Sequence, residues 1–297
     1  MKLTVVILTY NHEKYIKQTL DSILMQKTDF KFNIIIADDG STDDTITEIE
    51  KFKSTSSIEI NNLYHSSNIG VLNNALSVLN KIQSDYIAFL DGDDYWILPN
   101  KLQQQVDFLD SNENYSGIFH NTAIISDKTS SAILFGNSSK YSDVYKYQKE
   151  IYPADIIKRL IVPTSSLLLR TDFLQNIDLL LFKDNYSIIW KLCCLAIKNS
   201  KFYYLDEVMS VYRNHEKGIS KSKNIQFHFS HTYFLESLSK RKDFEEYLLD
   251  IYTALSKEYI LVIERTIIKD NKLKKVFFRY ILSELKKTFY FYKSIFK

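Results

Sequence analysis

Three carboxylates stand almost side by side in the sequence, at Asp91, Asp93 and Asp94, directly after the apolar run at residues 86–90. Like charges this close repel one another once water is partly excluded, so a cation is expected to offset them. Hard carboxylate oxygens suit a divalent metal such as Mg²⁺ or Mn²⁺. Because Asp-Gly is also a common turn dipeptide, a simple turn at the end of a strand is the alternative on these residues alone.

The apolar segments of the first half predict the elements that would position these carboxylates. Continuous β-rich runs alternate with segments in which apolar residues recur at helical spacing. Such a pattern predicts an α/β fold with a parallel sheet that is covered by helices on both faces. Residues 126–150 are polar and are expected to form a loop. The strands are predicted at 3–8, 32–37, 58–64 and 86–90, and the helices at 13–26, 41–52, 70–82 and 101–110.

Polar clusters follow the predicted strands, close to the point where each strand ends. Because the carboxyl ends of parallel strands lie on one edge of a sheet, that edge collects the clusters, and ligands of such sheets bind there. Independent turns would not explain this arrangement. The clusters are Thr9, Tyr10 and Asn11; Asp38 and Asp39; Asn68 and Gly70; and Asp91, Asp93 and Asp94.

The glycine-rich motifs of two large nucleotide-binding classes are missing from the sequence. No Gly-x-Gly-x-x-Gly follows the first strand and no Gly-x-x-x-x-Gly-Lys-Ser/Thr occurs, which disfavours dinucleotide dehydrogenases and P-loop nucleotidases. A nucleotide site would therefore rest on carboxylates and a metal. The formal net charge of +2 on 297 residues argues against nucleic acid as a partner. The first residues enter a strand directly, without a signal-peptide pattern, which predicts a cytoplasmic protein.

Four segments in order resemble the family 2 glycosyltransferases: VVILTYN at 5–11, IADDGSTD at 36–43, NIG at 68–70 and FLDGDD at 89–94. The resemblance is strong over residues 1–120 and looser over 150–220. It implies a GT-A fold, a Rossmann-like and mostly parallel sheet with helices on both faces, with a catalytic domain at 1–223. It also implies an inverting enzyme that uses a nucleotide-diphosphate sugar. Residues 224–297 are expected to form a helical extension.

The resemblance implies a donor pocket along the sheet edge. Asp39 would accept a hydrogen bond from a nucleobase N–H, which fits uracil best, and Asp38 would support that wall. Asn68 and Gly70 would lie near the ribose and diphosphate. The base and ribose pocket would be lined by Thr9, Tyr10, Asn11 and Glu13.

The resemblance also implies a metal site for Mn²⁺ or Mg²⁺. Asp93 would bind the metal that bridges the two phosphates, and Asp91 would contact the ribose or a metal-bound water. In the segment 212–220, which is similar to the family's closing motif, His215 would contact the metal or diphosphate. Arg213 would place positive charge near the phosphates. An isolated histidine such as His215 would otherwise be a solvated loop residue.

Asp184 is the candidate general base that the resemblance implies for the acceptor hydroxyl. The family pattern places an aromatic residue directly after the Asp and a Trp four residues on, whereas this chain has Asn185 and Ile188 there. Trp190 lies six residues on. The alternative is that Asp184 only caps a helix, for which Asp is favoured.

The C-terminal segment at residues 271–297 carries eight Lys or Arg against the single Glu284. Aromatic and aliphatic residues are interleaved with the basic ones, as in helices that lie on an anionic membrane. The alternatives are packing on the catalytic domain and a dimer interface. Farther upstream, His228 and His231 have no evident carboxylate partner and are expected to be solvated.

Together these features predict a hexosyl- or N-acetylhexosaminyl-transferase. It would move a sugar from a UDP-sugar to a glycan or lipid-linked acceptor, in bacterial surface polysaccharide such as capsule or lipopolysaccharide. One rival is a sugar nucleotidyltransferase of the same fold, which would show a glycine-rich loop with Arg and Lys where this chain has residues 9–11. The other is a non-catalytic glycan-binding or scaffold protein.

Overall fold

Packing divides the chain into two compact units, and each is described by itself. The computed structural model describes residues 1–126, 129–135, 148–182, 186–216, 218, 225–265 and 271–295. The first unit comprises Met1–Ile151, Ile161–Ile177 and Leu195–Glu216, and the second Tyr152–Leu160, Asp178–Cys194 and Lys217–Lys297.

The first unit is built on one sheet, to which the described residues contribute ten strands. Its strands are β1 (Leu3–Thr9), β2 (Phe32–Asp38), β3 (Glu59–Tyr64), β4 (Tyr86–Asp91), β5 (Tyr95–Trp96), β6 (Tyr115–Ser126), β7 (Thr129–Leu134), β8 (Glu150–Ile151), β9 (Leu168–Arg170) and β10 (Lys201–Asn214). Its first helices are α1 (Ile16–Leu24), α2 (Thr45–Thr55), α3 (Val71–Leu79) and α4 (Lys101–Asp110).

The sheet is mostly parallel, which confirms the predicted fold class. The strand order is β3-β2-β1-β4-β9-β6-β10-β5, with β7 beside β6 and β8 beside β10. The first four strands are parallel neighbours, and β9 runs antiparallel between β4 and β6. The carboxyl ends of β1, β2, β3 and β4 therefore lie on one edge, as predicted.

Burial explains why these segments fold as they do. All seven residues of β1 are buried, which suits a strand covered by helices on both faces. Helix α1 buries Ile16, Leu20 and Ile23, which recur at helical spacing and join the core with β1. Burial of each such side chain contributes about 1.5–3 kcal/mol.

The expectation of a loop over residues 126–150 is wrong at two places. Thr129–Leu134 forms β7, which pairs antiparallel with β6, and Glu150–Ile151 forms β8, which pairs antiparallel with β10. Polar edge strands carry little apolar alternation, so their pairing depends on the neighbouring strand more than on their own sequence.

The second unit is helical in its C-terminal part, as predicted. The helix at Leu248–Arg265, α8, packs against the helix before it and the helix after it in the sequence. No helix in the described ranges is long and apolar enough to cross a membrane. The expected division at residue 223 into a catalytic domain and an extension stays a prediction, because compactness alone does not identify the part with an activity. The helices are α5 (Pro153–Lys158), α6 (Ile188–Ala196), α7 (Ile225–Leu238), α8 (Leu248–Arg265) and α9 (Asn271–Ile295).

Candidate functional site

The polar residues at the ends of β1, β2 and β4 lie side by side. Thr9 at the end of β1 pairs with Asp38 at the end of β2. The backbone N–H of Asp39 donates to the Thr9 carbonyl at 3.0 Å, and the N–H of Gly92 donates to the Leu8 carbonyl at 2.9 Å. Backbone hydrogen bonds thus hold three loops together at one edge of the sheet.

Asn11 and Asp38 shape the first two of these loops. Buried Asp38 accepts hydrogen bonds from the backbone N–H of Ser41 at 2.7 Å and from its hydroxyl at 2.5 Å. The Ser41 hydroxyl oxygen in turn accepts from the N–H of Asn11 at 2.8 Å. Asn11 has φ 54°, in the left-handed region that Asn tolerates better than most residues. What either residue does toward a ligand stays a prediction.

Asp39 is joined to the segment that contains Asn68 and Gly70. The Asp39 side chain is buried, and its Oδ1 accepts a hydrogen bond from the backbone N–H of Ile69 at 2.7 Å. The side-chain oxygen of Asn68 accepts from the N–H of Gly70 at 3.1 Å. Gly70 has φ 86°, where a side chain would be strained. The structure therefore brings the predicted base-binding and ribose-binding residues together.

Tyr10 and Glu13 lie on the solvent side of this edge. Tyr10 is 40% exposed, so its ring is accessible to a ligand. Glu13 is exposed, and its carboxylate accepts a hydrogen bond from the N–H of Asp44, the residue before α2, at 3.3 Å. The Glu13 carboxylate thereby stabilises the start of α2.

Asp93 lies between two imidazoles. Its Oδ2 is 2.9 Å from Nε2 of His215 and 3.5 Å from Nε2 of His12. His215 is buried, and the ring of Tyr15 packs on it with the centroids 4.9 Å apart. Burial lowers the pKa of His12 although the charge of Asp93 opposes this shift.

Beside Asp93, Asp94 is buried and Asp91 is half-buried. Burial, followed by the charge of Asp93, raises the pKa of Asp91 to about 7, against a hydrogen bond from Thr164. The same causes raise the pKa of Asp94 well above its ordinary value. Asp94 also accepts a hydrogen bond from the backbone N–H of Arg213 at 2.9 Å. The cluster thus holds more negative charge than this buried place readily accommodates.

Arg213 supplies a positive charge beside the cluster. Its guanidinium lies 4.5 Å from the ring centroid of Tyr95 and 5.1 Å from that of Tyr15. It also donates to the backbone carbonyl of Asp93 and to the side-chain carbonyl of Gln18. A planar guanidinium stacks on aromatic faces in a way that an ammonium cannot reproduce. Arg213 is therefore fixed over the acidic cluster.

Gly92 allows the close approach of the loops after β1 and β4. A Cβ built on Gly92 would lie 2.6 Å from Oγ1 of Thr9 and 2.7 Å from Nδ1 of His12. These two side chains are themselves 3.2 Å apart. Any side chain at position 92 would push the acidic cluster away from the loop after β1.

The donor chemistry around Asp93 fits a divalent cation. Carboxylate oxygens and a neutral imidazole nitrogen are ligands for Mn²⁺, and the raised pKa values of Asp91 and Asp94 mark the charge that a cation would offset. Among the residues that the structure describes, no group of three or more His, Cys, Asp or Glu is arranged to hold a metal. Instead Asp93 and His215 face each other directly.

Several residues of this site were not predicted from the sequence, and one predicted residue lies where the structure gives no description. Asp184, the expected base, lies outside the described residues. A weak sequence signal existed for some of the missed residues, because they flank the motifs at 9–11 and 91–94. The side chains that contact His215 or Arg213 and were not assigned to the site are Tyr15, Gln18 and Tyr95.

His228 and His231 are not solvated, contrary to expectation. They are 6% and 4% exposed, respectively. Nδ1 of His228 lies 2.7 Å from one oxygen of Glu258, and Nδ1 of His231 lies 3.1 Å from the other. The partner comes from α8, a separate helix, so the spacing of the two histidines within α7 could not reveal it.

Comparison with known proteins gives a family and a fold. A sequence model described as glycosyl transferase family 2 matches residues 4–174. An uncharacterized protein from Mycobacterium tuberculosis (strain ATCC 25618 / H37Rv) is 29% identical over 224 residues, which cover 73% of this chain and 60% of that protein. WfaP from Escherichia coli, a UDP-Glc:alpha-D-GlcNAc-diphosphoundecaprenol beta-1,3-glucosyltransferase, is 29% identical over 221 residues, which cover 74% of this chain and 80% of WfaP.

Solved structures similar to this chain share the GT-A fold. S. aureus TarS in complex with UDP-GlcNAc matches with a TM-score of 0.63 and 18% identity, covering 88% of this chain and 73% of that one. The mannosyltransferase PcManGT from Pyrobaculum calidifontis, in complex with GDP-Man and Mn²⁺, matches with a TM-score of 0.57 and 14% identity, covering 97% and 82%. At these identities the likeness shows the fold alone.

Proposed function

The chain belongs to glycosyl transferase family 2, and from that premise we propose that it transfers a sugar from a UDP-sugar, with inversion, to a hydroxyl of a glycan or lipid-linked acceptor. WfaP is named for UDP-Glc and a diphosphoundecaprenol-linked acceptor, and TarS has been solved with UDP-GlcNAc. Both names support a UDP-sugar donor and a hexosyl or N-acetylhexosaminyl group. This chain spans 60% of the length of its mycobacterial relatives, so the activity of the whole protein is part of the proposal.

The donor pocket in this proposal runs along the sheet edge from Asp39 to the acidic cluster. Asp39 is buried and fixed by the N–H of Ile69, which supports its assignment as acceptor for the uracil N3–H. The exposed ring of Tyr10 would pack against the base. Asn68 and Gly70, next to Ile69, would face the ribose and diphosphate.

The residues that would hold a divalent metal are Asp93, Asp91 and His215. Bound there, Mn²⁺ or Mg²⁺ would supply Lewis-acid stabilisation of the charge on the departing diphosphate. Arg213 would add a fixed positive charge beside the same phosphates, because its guanidinium is held between Tyr15 and Tyr95. The contact between Asp93 and His215, at 2.9 Å, holds these two side chains next to each other.

The acceptor hydroxyl needs a base on the side opposite the diphosphate, since inversion requires attack on that face. Asp184 is proposed for this role. It would take the hydroxyl proton as the acceptor oxygen bonds to the anomeric carbon and the bond to the diphosphate breaks. The role as a helix cap is the competing assignment for this carboxylate.

The proposed setting is the cytoplasmic side of a bacterial membrane, in the assembly of a surface polysaccharide such as capsule or lipopolysaccharide. A lipid-linked acceptor is presented at a membrane surface, and contact with an anionic membrane through the C-terminal helix belongs to this setting. The acceptor named for WfaP supports it.

One observation carries the proposed function: in a chain of this family, Asp39 and the cluster of Asp93, Arg213 and His215 lie on the same edge of a GT-A sheet. The test is a thermal-shift and calorimetric screen of UDP-, GDP- and dTDP-sugars, each with Mn²⁺ and with EDTA. We expect preferential, Mn²⁺-dependent binding of a UDP-sugar. Tighter binding of another nucleotide would contradict the assignment of Asp39.

The two rival functions predict different results in activity and binding assays. A sugar nucleotidyltransferase would release pyrophosphate from UTP and a sugar 1-phosphate, which the proposed enzyme would not do. A scaffold protein would bind a glycan without binding any nucleotide sugar. Hydrolysis or transfer from the UDP-sugar, measured as release of UDP, separates the proposed enzyme from both.

A further inference from the structure

Helix α9 carries a stripe of exposed apolar side chains along one face. Phe278, Leu285 and Phe289 are each more than three-fifths exposed, at 63%, 62% and 63%. At 3.6 residues per turn these positions fall on one side of the helix. We call this surface the α9 apolar face, and it consists of Phe277, Phe278, Ile281, Leu282, Leu285 and Phe289.

The opposite face of α9 already has a partner within the second unit. Val276 and Ser283 are buried, and the Ser283 hydroxyl lies 2.9 Å from that of Ser256 on α8. One heptad farther on, the ring of Tyr290 stacks on that of Tyr252, with the centroids 5.7 Å apart. This seam binds α9 to α8 and leaves the α9 apolar face pointing away from α8. A contiguous exposed apolar surface of this kind marks an interaction site.

The charge of α9 identifies the chemistry of its partner. Residues 271–295 carry seven Lys or Arg and one acidic residue, Glu284, which lies 3.3 Å from Lys287. Lys286 and Lys293 are exposed, and their ammonium groups lie 5.2 Å and 5.9 Å from the ring centroids of Tyr252 and Tyr290, respectively. By helical spacing both adjoin the edge of the α9 apolar face. An apolar surface with lysines at its edge is the arrangement of helices that lie in the interface of an anionic bilayer.

A second copy of this chain fits the same face poorly. Pairing two α9 helices through their apolar faces would bring two strongly basic surfaces together, and like charges at short range oppose association. An anionic lipid surface has the opposite charge and accepts the apolar side chains as well. The lengthwise stripe fits a helix that lies flat on the bilayer, and over its described residues α9 is not long and apolar enough to cross a membrane.

We propose that the α9 apolar face docks the protein on an anionic lipid surface, with its phenylalanines and leucines inserted among the lipids and Lys286 and Lys293 at the headgroups. The inference rests on α9 and does not depend on which sugar is transferred. It deepens the proposed function by naming the surface on which a lipid-linked acceptor would be met.

The test is co-sedimentation of the full chain with vesicles of phosphatidylcholine alone or of phosphatidylcholine and phosphatidylglycerol in equal parts. The apolar variant is Leu285→Gln with Phe289→Gln, and its matched control is Ile260→Gln, an exposed apolar residue on α8. The charge variant is Lys286→Gln with Lys293→Gln. Its matched control is Lys17→Gln with Lys51→Gln, which removes the same charge from exposed lysines of the first unit. Since all these side chains are exposed, the fold is expected to survive, and circular dichroism verifies this.

We expect the unaltered chain to bind the vesicles that contain phosphatidylglycerol. The apolar variant should lower the partition coefficient at least about tenfold, because each large apolar side chain gains substantially from leaving water. The charge variant should lower it about 30-fold on the anionic vesicles only, since a lysine near an anionic surface contributes about 1 kcal/mol. Both controls should bind as the unaltered chain does.

Two outcomes would overturn the docking proposal. One is vesicle binding that the apolar and charge variants leave unchanged. The other is a chain that does not bind vesicles and is a dimer by analytical ultracentrifugation, while the variant Leu285→Gln with Phe289→Gln is a monomer. The partner of the α9 apolar face would then be a second copy of this chain. Because sedimentation requires no sugar transfer, failure of the docking proposal is distinguishable from failure of the proposed enzymatic function.

Discussion

Nε2 of His215 lies 2.9 Å from Oδ2 of Asp93, although 122 positions separate the two residues in the sequence. This contact joins the loop after β4 to the end of β10 at the edge where the nucleotide would bind. The backbone of Arg213 reinforces the junction by donating to Asp94. The diphosphate end of the proposed donor site is therefore assembled from two distant parts of the chain.

Replacing Asp39 by Asn should separate nucleobase recognition from folding. The amide oxygen of Asn can still accept the hydrogen bond from the N–H of Ile69, but its NH₂ group is a donor and cannot accept a hydrogen bond from the uracil N3–H. Loss of one hydrogen bond to a charged acceptor corresponds to about a 10- to 100-fold rise in KM for the UDP-sugar. Steady-state kinetics measure this, and the melting temperature should stay close to that of the unaltered protein. A KM that does not change would remove Asp39 from the base pocket.

Gly92→Ala should destabilise the first unit and disturb the acidic cluster. The new Cβ would meet Oγ1 of Thr9 at 2.6 Å and Nδ1 of His12 at 2.7 Å, closer than van der Waals contact allows. Overpacking of this kind costs about 1–3 kcal/mol. Urea unfolding gives the loss of stability, and calorimetry with UDP and Mn²⁺ gives the loss of affinity. An alanine variant with unaltered stability and affinity would show that the close approach is unimportant.

Asp184→Asn should distinguish a base from a helix cap. If Asp184 is the base, the variant keeps its stability and its affinity for the UDP-sugar, but its rate of transfer falls by about 100-fold or more. If Asp184 is only a helix cap, the variant loses about 1 kcal/mol of stability and keeps its transfer rate. Asp178→Asn is the matched control, since Asp178 is a carboxylate six positions earlier in the sequence that pairs with Arg241 at 3.5 Å. Near-normal transfer by the Asp184 variant would exclude it as the base.

Glu258 should make the second unit sensitive to acid. Burial alone would raise its pKa, but hydrogen bonds and charge from His231 and His228 outweigh burial and hold the pKa below its ordinary value. A lowered folded-state pKa adds stability above the unfolded-state value, about 4.3 for Glu, and this stability is lost as the pH falls through the folded-state pKa.

Glu258→Gln should therefore flatten the fall in the free energy of unfolding between about pH 5 and pH 3, around the ordinary pKa of Glu. At neutral pH the variant should be less stable by about 1–3 kcal/mol, because the buried histidines lose their charged partner. Glu246→Gln, which alters an exposed carboxylate, is the control. Urea unfolding at several pH values measures both effects. If the free energy of unfolding falls equally with acid in the unaltered chain and in the Glu258 variant, this carboxylate does not have the proposed role.

Local patterns were enough to predict much of the first unit. The strands β1 to β4 and the helix α4 follow from apolar runs and helical spacing, because their burial is dictated by their own side chains. The edge strand β7 was missed, since its pairing with β6 depends on the neighbour. In the site, Asp38, Asp39 and Asp93 were placed at the correct sheet edge by the rule for parallel strands.

Other parts of the site depend on contacts between distant residues. The stacking of Tyr15 on His215 and the position of Arg213 over Tyr95 join segments that no spacing rule connects. The burial of His228 and His231 likewise depends on Glu258, which lies on another helix. Only the resemblance to a family motif pointed to Arg213 and His215 in the sequence, and nothing there pointed to Glu258.

The most direct test of the central claim is calorimetric titration of UDP into the unaltered protein and into Asp93→Asn, each with Mn²⁺ and with EDTA. Asp21→Asn, which alters an exposed carboxylate of α1, is the matched control. We predict that Mn²⁺ strengthens UDP binding to the unaltered protein and to the control, and that it has no such effect on Asp93→Asn. Equal enhancement by Mn²⁺ in all three proteins would contradict the assignment of Asp93 to the diphosphate end of a UDP-sugar site.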